Sequence, residues 1–262
     1  MQVAQVVDAV SASAKYRQID PHLIAQVGRA ELAKGRSLKE AIKATKNKLH
    51  QIAGAYFPDK PAYGGWAAQL AQADDGAARQ SLAHTIMGQH ASTRERLPFL
   101  ADFYTTLWAG LPPIGTLLDL ACGLNPLAVG HMPLAPTARY LACDIYQDQI
   151  DFLNRWFELG GQAGAAFVAN LLDDTPLPAA DLVLLLKTIP CLEQVDKGIG
   201  PRLLARITAP VVILSYPARS LGGQTKGMVE NYAHHFAHLT AGQPWQITRF
   251  DFPTEIVFRL QR

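Results

Sequence analysis

An open α/β sheet preceded by an all-helical segment is the fold class predicted by this 262-residue chain. Three observations predict it. The run Thr116-Leu117-Leu118-Asp119-Leu120 is an apolar strand that stops in a tight turn, Ala121-Cys122-Gly123, with Pro126 suited to the first turn of a following helix. About two dozen residues on, Arg139–Asp144 forms a second strand ending in an acid. Strand-length and helix-length runs then alternate until the chain closes on two successive strands. Strand, glycine turn and helix make a crevice for a nucleotide-like ligand, and an acid ending the second strand can accept from both ribose hydroxyls. One glycine stands where dinucleotide sites usually hold three, so an ordinary structural α/β core is the other reading of this stretch alone.

The amino-terminal elements are helical. Val3, Val6, Val7 and Val10 recur at helical spacing, and Pro21 opens a second helix through Leu23, Ile24 and Val27. Ser37 and Glu40 have the spacing of a capping box for a third helix, with Leu38, Ile42 and Leu49 on one face. A loop rich in Pro, Gly and aromatics follows at Tyr56–Gly65, and Trp66–Ala73 and Gly76–Met87 read as two further helices. The polar run His90–Leu97 is either a charged linker or a clamp on the ligand of the next domain. These residues, 1–105, are taken as one domain with a break near 57–65, and 106–262 as the second.

The second domain continues the alternation. Asp148–Leu159 is a helix ending at Gly160-Gly161, Ala165–Ala169 a third strand and Asp181–Lys187 a fourth, apolar enough to be buried on both faces. A helix over Glu193–Ile207, a fifth strand at Val211–Ser215, a polar loop and a helix over Met228–Leu239 follow. Trp245–Asp251 and Glu255–Leu260 form the terminal hairpin. Seven strands with that ending are the layout of a Rossmann-like S-adenosylmethionine-dependent methyltransferase sheet; a dinucleotide dehydrogenase has no need of the hairpin.

Composition narrows the setting. A hydrophobic fraction of 49% and a charged fraction of 18% suit a globular protein with a full core. Residues 1–60 hold ten Lys/Arg and five Asp/Glu, a balance of +5, so the rest carries −3 of the total +2. A basic front on a mildly acidic body points to a polyanionic partner. Cys122, Cys143 and Cys191 lack metal-ligand spacing, and their odd number argues against a disulfide framework. With no leader-like start and no apolar run of membrane-spanning length, a cytoplasmic protein without membrane contact is expected.

Several strings occur in a specific order: His90-x-Ser92-Thr93-x-Glu95-Arg96, Ala121-Cys122-Gly123-Leu124-Asn125-Pro126, Cys143-Asp144-Ile145, Leu186-Lys187-x-x-Pro190, and Pro217-x-Arg219-Ser220-Leu221-Gly222-Gly223-x-x-Lys226-Gly227-Met228. With Lys15-Tyr16-Arg17 and Leu49-His50-x-Ile52-x-Gly54-Ala55-Tyr56, they closely resemble the aminoglycoside-resistance methyltransferases that modify guanine N7 (guanine 1405) in the decoding site of 16S ribosomal RNA. The resemblance runs from about residue 10 to the end. Several roles are implied by it. Arg96, with Ser92 or Thr93, contacts the methionine carboxylate of S-adenosylmethionine. Ala121 and Gly123 allow close backbone approach, and Asp119 supports the turn and the methionine amino end. Asp144 holds the ribose and Ile145 packs on the adenine. Lys187 stands at the mouth near the target, and Arg219 and Lys226 lie in a loop that meets the RNA. The basic helical domain, through Lys15, Arg17, Lys39, Lys43, Lys46 and Lys48, docks a monomer on the assembled 30S subunit. Where an acid is expected for the adenine amine the chain has Asn170-Leu171; Asn170 can accept through its carbonyl, and Asp173 is the alternative.

Guanine N7 carries an exposed lone pair, so the chemistry asks for positioning rather than a strong base, and no metal is called for. Trp108, Tyr146 and Tyr216 are candidates to stack on an unstacked base. Two other functions compete. Cys191 after Pro190 stands where RNA cytosine-C5 methyltransferases place a nucleophile, and the chain could be an inactive ribosome-binding protein that keeps the cofactor fold.

Overall fold

The computed structural model describes residues 1–54, 56, 57, 59–218 and 227–262. Helices α1 (Gln2–Ser11), α2 (Pro21–Leu32) and α3 (Leu38–Leu49) come first, followed by a π turn at His50–Gly54. Pro21 stands in the first turn of α2, where its missing N–H is no loss, and Asp20 caps that helix by accepting from the His22 N–H at 3.0 Å. The capping box of α3 is formed: the Glu40 N–H donates to Ser37 Oγ, and the Glu40 carboxylate accepts from the Ser37 N–H at 2.9 Å. Val6, Val10, Leu23, Ile24, Val27, Ala41 and Leu49 meet in the core of this bundle, and Leu172 and Ile199 from the sheet half enter the same core. The Lys48 ammonium reinforces the joint by donating to the Gln194 carbonyl at 2.7 Å.

Helices α4 (Tyr63–Gln72), α5 (Gly76–Met87), α6 (Ala91–Arg96) and α7 (Leu100–Trp108) pack differently. Their Leu70, Ile86, Met87, Phe103, Tyr104 and Leu107 share one core with Leu117, Tyr140, Leu182 and Ile213 of the sheet. The packing therefore assigns α4–α7 to the sheet, and residue 105 lies inside α7. The change of partner falls instead in the segment between the π turn and Tyr63.

The sheet comprises β1 (Thr116–Leu120), β2 (Arg139–Asp144), β3 (Gly164–Val168), β4 (Leu182–Leu186), β5 (Val211–Pro217), β6 (Gln246–Asp251) and β7 (Glu255–Gln261) in the order β3-β2-β1-β4-β5-β7-β6. The first five strands are parallel; β7 runs antiparallel between β5 and β6. Side chains alternate as the two-residue pleat requires: Leu182 and Leu184 enter the core shared with α4–α7 and α8 (Gln147–Gly160). Val183 and Leu185 face Ile189 of α9 (Ile189–Leu192), Leu203 of α10 (Ile199–Arg206) and Phe236 of α11 (Met228–Thr240). Strand order reverses between β1 and β4, and at that point an open α/β sheet leaves a crevice at its carboxyl edge.

Two local expectations change. The helix expected over Glu193–Ile207 is interrupted, because Asp196 accepts from the Gly198 N–H at 2.9 Å in a turn between α9 and α10. After Gly123 the chain forms a 3-10 segment, Asn125–His131, in place of an α-helix. No helix among the described residues is long and apolar enough to cross a membrane.

Candidate cofactor and target site

A cleft of about 1000 Å³, open solvent included, lies along the carboxyl ends of β1, β2 and β4. It is lined by Ser92, Thr93, Arg96, Asp119, Ala121, Gly123, Asp144, Ile145, Asn170, Leu171 and Lys187, the residues singled out for the cofactor from the sequence. Asp173 is not among its walls.

Asp144 sits at its centre. One carboxylate oxygen accepts from the Gly123 N–H at 2.8 Å and the other from the Ile145 N–H at 2.7 Å. Each oxygen keeps a lone pair for a further donor, the capacity a ribose diol uses. Burial raises the Asp144 pKa, and the two backbone N–H groups oppose the rise. The Gly123 carbonyl in turn accepts from Gln149 Nε2 at 2.9 Å, and Tyr63 donates to Gln149 Oε1 at 3.1 Å.

The turn demands glycine for two reasons. Gly123 has φ +53, and a Cβ there would come within 2.9 Å of the His90 ring. Ala121 at φ +52 and Lys187 at φ +58 are the non-glycine residues held in the left-handed region among the described residues. They follow β1 and β4 and both face the cleft, so the strain is concentrated where ligand would lie.

Beneath the cleft runs a buried polar chain. The Lys187 N–H donates to the Ser215 hydroxyl at 3.1 Å, and Ser215 donates to Glu255 at 2.7 Å. Glu255 takes the Arg96 guanidinium bidentately, at 2.7 and 3.0 Å. Arg96 also donates to Asn125 Oδ1 at 3.0 Å, and Asn125 Nδ2 donates to Asp119 at 2.9 Å. The Tyr140 hydroxyl donates to the same Asp119 oxygen at 2.7 Å. Burial pushes the Asp119 carboxyl up to about 7, with the bonds from Tyr140 and Asn125 working against the rise.

Arg96 thus reaches the cleft already paired. Its planar fork is committed to Glu255, and a ligand would meet only its remaining N–H groups. Thr93 spends its hydroxyl on the Met87 carbonyl at 2.6 Å, whereas Ser92 makes no side-chain hydrogen bond among the described residues. Asn170 is engaged as well: its Nδ2 donates to Gln26 and its carbonyl oxygen accepts from the Leu172 N–H at 3.1 Å, leaving one lone pair.

Lys187, whose ammonium pairs with Glu95 at 2.6 Å, and Cys191, whose Sγ lies 2.7 Å from the Tyr56 hydroxyl, line the same cleft. Burial pushes the Cys191 thiol up. Of the stacking candidates, Trp108 and Tyr216 are core residues, 7% and 0% exposed, and cannot meet a base; Tyr146 lines the cleft. His235 is tied to Tyr216 at 3.0 Å and Glu193 at 2.8 Å. Arg219 and Lys226 lie outside the described residues. Sequence reasoning gave no role to Gln149, Tyr56 or Glu255, and quoted His90 only as part of a string.

The sheet order, the acid-tipped second strand and the one-glycine turn define a Rossmann-like methyltransferase of the S-adenosylmethionine-dependent class. Over residues 12–259 the chain matches the ribosomal RNA methyltransferase (FmrO) family, and it belongs to that family. It is 36% identical to a 16S rRNA (guanine(1405)-N(7))-methyltransferase of Micromonospora echinospora, across 99% of this chain and 97% of that protein. It is 32% identical to one of Serratia marcescens, across 90% and 89%. Among solved structures, the 16S rRNA methyltransferase RmtF in complex with S-adenosyl-L-homocysteine superposes with a TM-score of 0.86 at 30% identity, covering 100% of this chain and 98% of that one. An rRNA methylase from Escherichia coli gives 0.80 at 26%, covering 99% of each.

Proposed function

We propose that this protein is a 16S rRNA (guanine(1405)-N7)-methyltransferase that acts in the cytoplasm on the assembled 30S subunit and so confers aminoglycoside resistance. The reading rests on 36% identity to a relative of that name along nearly the whole of both chains. The residues present fit the cofactor. Asp144 offers a diol two oxygens, Ile145 and Leu171 are apolar walls for an adenine, and Asn170 keeps one lone pair for its amine. Ser92 and the unspent N–H groups of Arg96 face the place for a carboxylate. When bound, the cofactor supplies an electrophilic sulfonium methyl. The chain has only to hold guanine N7 in line with it and keep water out. Lys187 in the cleft and Arg219 and Lys226 in the following loop are the groups proposed for the target side. Mapping the modified nucleotide after incubation with cofactor and 30S subunits tests the assignment; methylation at another nucleotide, or none, removes it.

The cytosine reading needs a thiolate at Cys191. Its thiol is half-buried, held up in pKa and hydrogen-bonded to the Lys187 carbonyl at 3.3 Å, the reverse of an activated nucleophile. Cys191→Ser keeps a hydroxyl for both neighbours and is expected to retain methyl transfer within about threefold, a change under roughly 1 kcal/mol. Abolished transfer with intact cofactor affinity would restore the covalent mechanism.

Docking is proposed for the exposed face of α3 and the loop before α2. Lys39, Lys43, Lys15 and Arg17 are exposed there. Lys46 and Lys48 are half-buried, and each ammonium already gives one hydrogen bond inward, to Ser13 and to the Gln194 carbonyl. Lys43→Glu is therefore expected to weaken 30S binding severalfold and flatten its salt dependence, with cofactor affinity unchanged. Filter binding across a salt series reads both quantities, and equal affinity for the two proteins would remove this face from the interface.

A further inference from the structure

A second cluster of donor side chains lies outside the cofactor cleft, none of whose walls it shares. His84 stands on α5, and His131 ends the 3-10 segment Asn125–His131. Their Nε2 atoms face each other at 2.9 Å, with the ring centroids 5.0 Å apart. Gln80, one helical turn before His84, brings its side-chain amide to 3.4 Å from His131 Nε2. Gly130 gives that amide room, since a Cβ there would come within 2.9 Å of Gln80 Oε1. All three residues are half-buried, and no carboxylate bonds to either ring among the described residues.

The separation of the two nitrogens is informative. A hydrogen bond between neutral rings, one donating and the other accepting, accounts for it. It is also the span of two imidazoles bound side by side to one cation. At metal–nitrogen bonds of about 2.0–2.1 Å, donors at a right angle stand about 2.9 Å apart, and donors at the tetrahedral angle about 3.3 Å apart. The right angle belongs to Cu(II) or Ni(II) in a tetragonal field rather than to tetrahedral zinc. Imidazole binds such a cation only when unprotonated. Burial, and then the facing His84, lower the His131 pKa, which favours that form. A half-turn of the Gln80 amide offers its carbonyl oxygen on the same side, and the partial exposure lets water complete the shell.

We propose that His84 and His131 form a two-histidine site for a divalent cation of tetragonal preference, Ni(II) or Cu(II), that staples α5 to the Asn125–His131 segment. The site takes no part in methyl transfer and stands whether or not the methyltransferase reading does. Its effect is on stability. A cation held by both elements fixes α5 to the segment whose first residue, Asn125, bonds Arg96 and Asp119.

Ni(II) is the probe, being redox-inert toward the cysteines. The parent protein for the test carries His234→Gln and His238→Gln, because those exposed histidines, four residues apart on α11, are a chelating pair of their own. Isothermal titration of this parent should show one Ni(II) per chain. Adding His131→Gln should weaken binding at least tenfold, about 1.4 kcal/mol. Saturating Ni(II) should raise the thermal unfolding midpoint of the parent and not that of the His131→Gln protein. Equal affinity for both, no binding by the parent, or an unmoved midpoint overturns the proposal and leaves the pair a hydrogen bond between neutral rings. Should His131→Gln not fold, the backbone amide signals of the parent decide: paramagnetic broadening by substoichiometric Ni(II) begins around His84 and His131, and broadening centred elsewhere overturns the proposal.

Discussion

Replacing Glu255 by Gln is expected to lower the unfolding free energy by about 3–5 kcal/mol, the cost of leaving a buried ionic partner uncompensated. Arg96 and Glu255 are 1% and 0% exposed, so water cannot replace the lost carboxylate at the face that Glu255 covers. Arg96 cannot relieve the strain by losing its proton. Urea unfolding of the apoprotein measures the loss, and a loss below about 1 kcal/mol would mean that Asn125 alone satisfies Arg96. Combining Arg96→Met with Glu255→Leu should recover part of it, because a buried pair replaced whole by apolar groups is often near neutral. Dependence on pH separates this group from its neighbour Asp119. Burial works to raise the Glu255 pKa, but Arg96 and Lys187 outweigh it and hold the carboxyl below its ordinary range. Its contribution is present above the unfolded-state pKa and is lost as pH falls through the lower folded value. Asp119, pushed up to about 7, behaves oppositely: its contribution is full below its unfolded pKa and is lost as pH rises toward 7.

Asp144→Ala is expected to weaken S-adenosylhomocysteine binding at least 100-fold, roughly 3 kcal/mol, by removing a charged acceptor from two hydroxyls. Titration calorimetry reads this directly, and a change under fivefold would take the ribose away from Asp144. Because burial raises this carboxyl, wild-type affinity should begin to fall at a higher pH than an ordinary aspartate would give. Acidification thus protonates Asp144 and weakens the ligand. The same acidification relieves the buried charge of Asp119, so cofactor affinity and that part of apoprotein stability move in opposite directions.

What was legible in the sequence was local. Strand β1, its turn and the acid of β2 lie within 29 residues of one another, and β4 announces its burial by an unbroken apolar run. The capping box of α3 is a four-residue pattern. The partners missed are distant ones. Glu255 meets Arg96 across 159 positions, and nothing near either residue marks the other. Gln149 supports Gly123 from the next helix, but a glutamine in a helix's first turns carries no signal of its own. His90 stood in a quoted string, yet only the fold shows it against Gly123. The helix expected over Glu193–Ile207 failed because apolar spacing continues across the Asp196 turn. Trp108 and Tyr216 looked available for stacking because a sequence does not say which aromatic residues the core has already taken.

The Arg96–Glu255 pair has a consequence for how such chains can be exchanged. One partner belongs to α6 and the other to β7, near the end of the chain. A recombination breakpoint at residue 105 would cut α7 and draw its two halves from different parents. It would also ask one parent's Arg96 to find its carboxylate in the other. A breakpoint in the segment before Tyr63 leaves the pair, and α4–α7 with the sheet face they cover, within a single parent. Functional chimaeras between relatives should therefore cluster their junctions before Tyr63, with Leu172 and Ile199 as the residues to match to the incoming bundle.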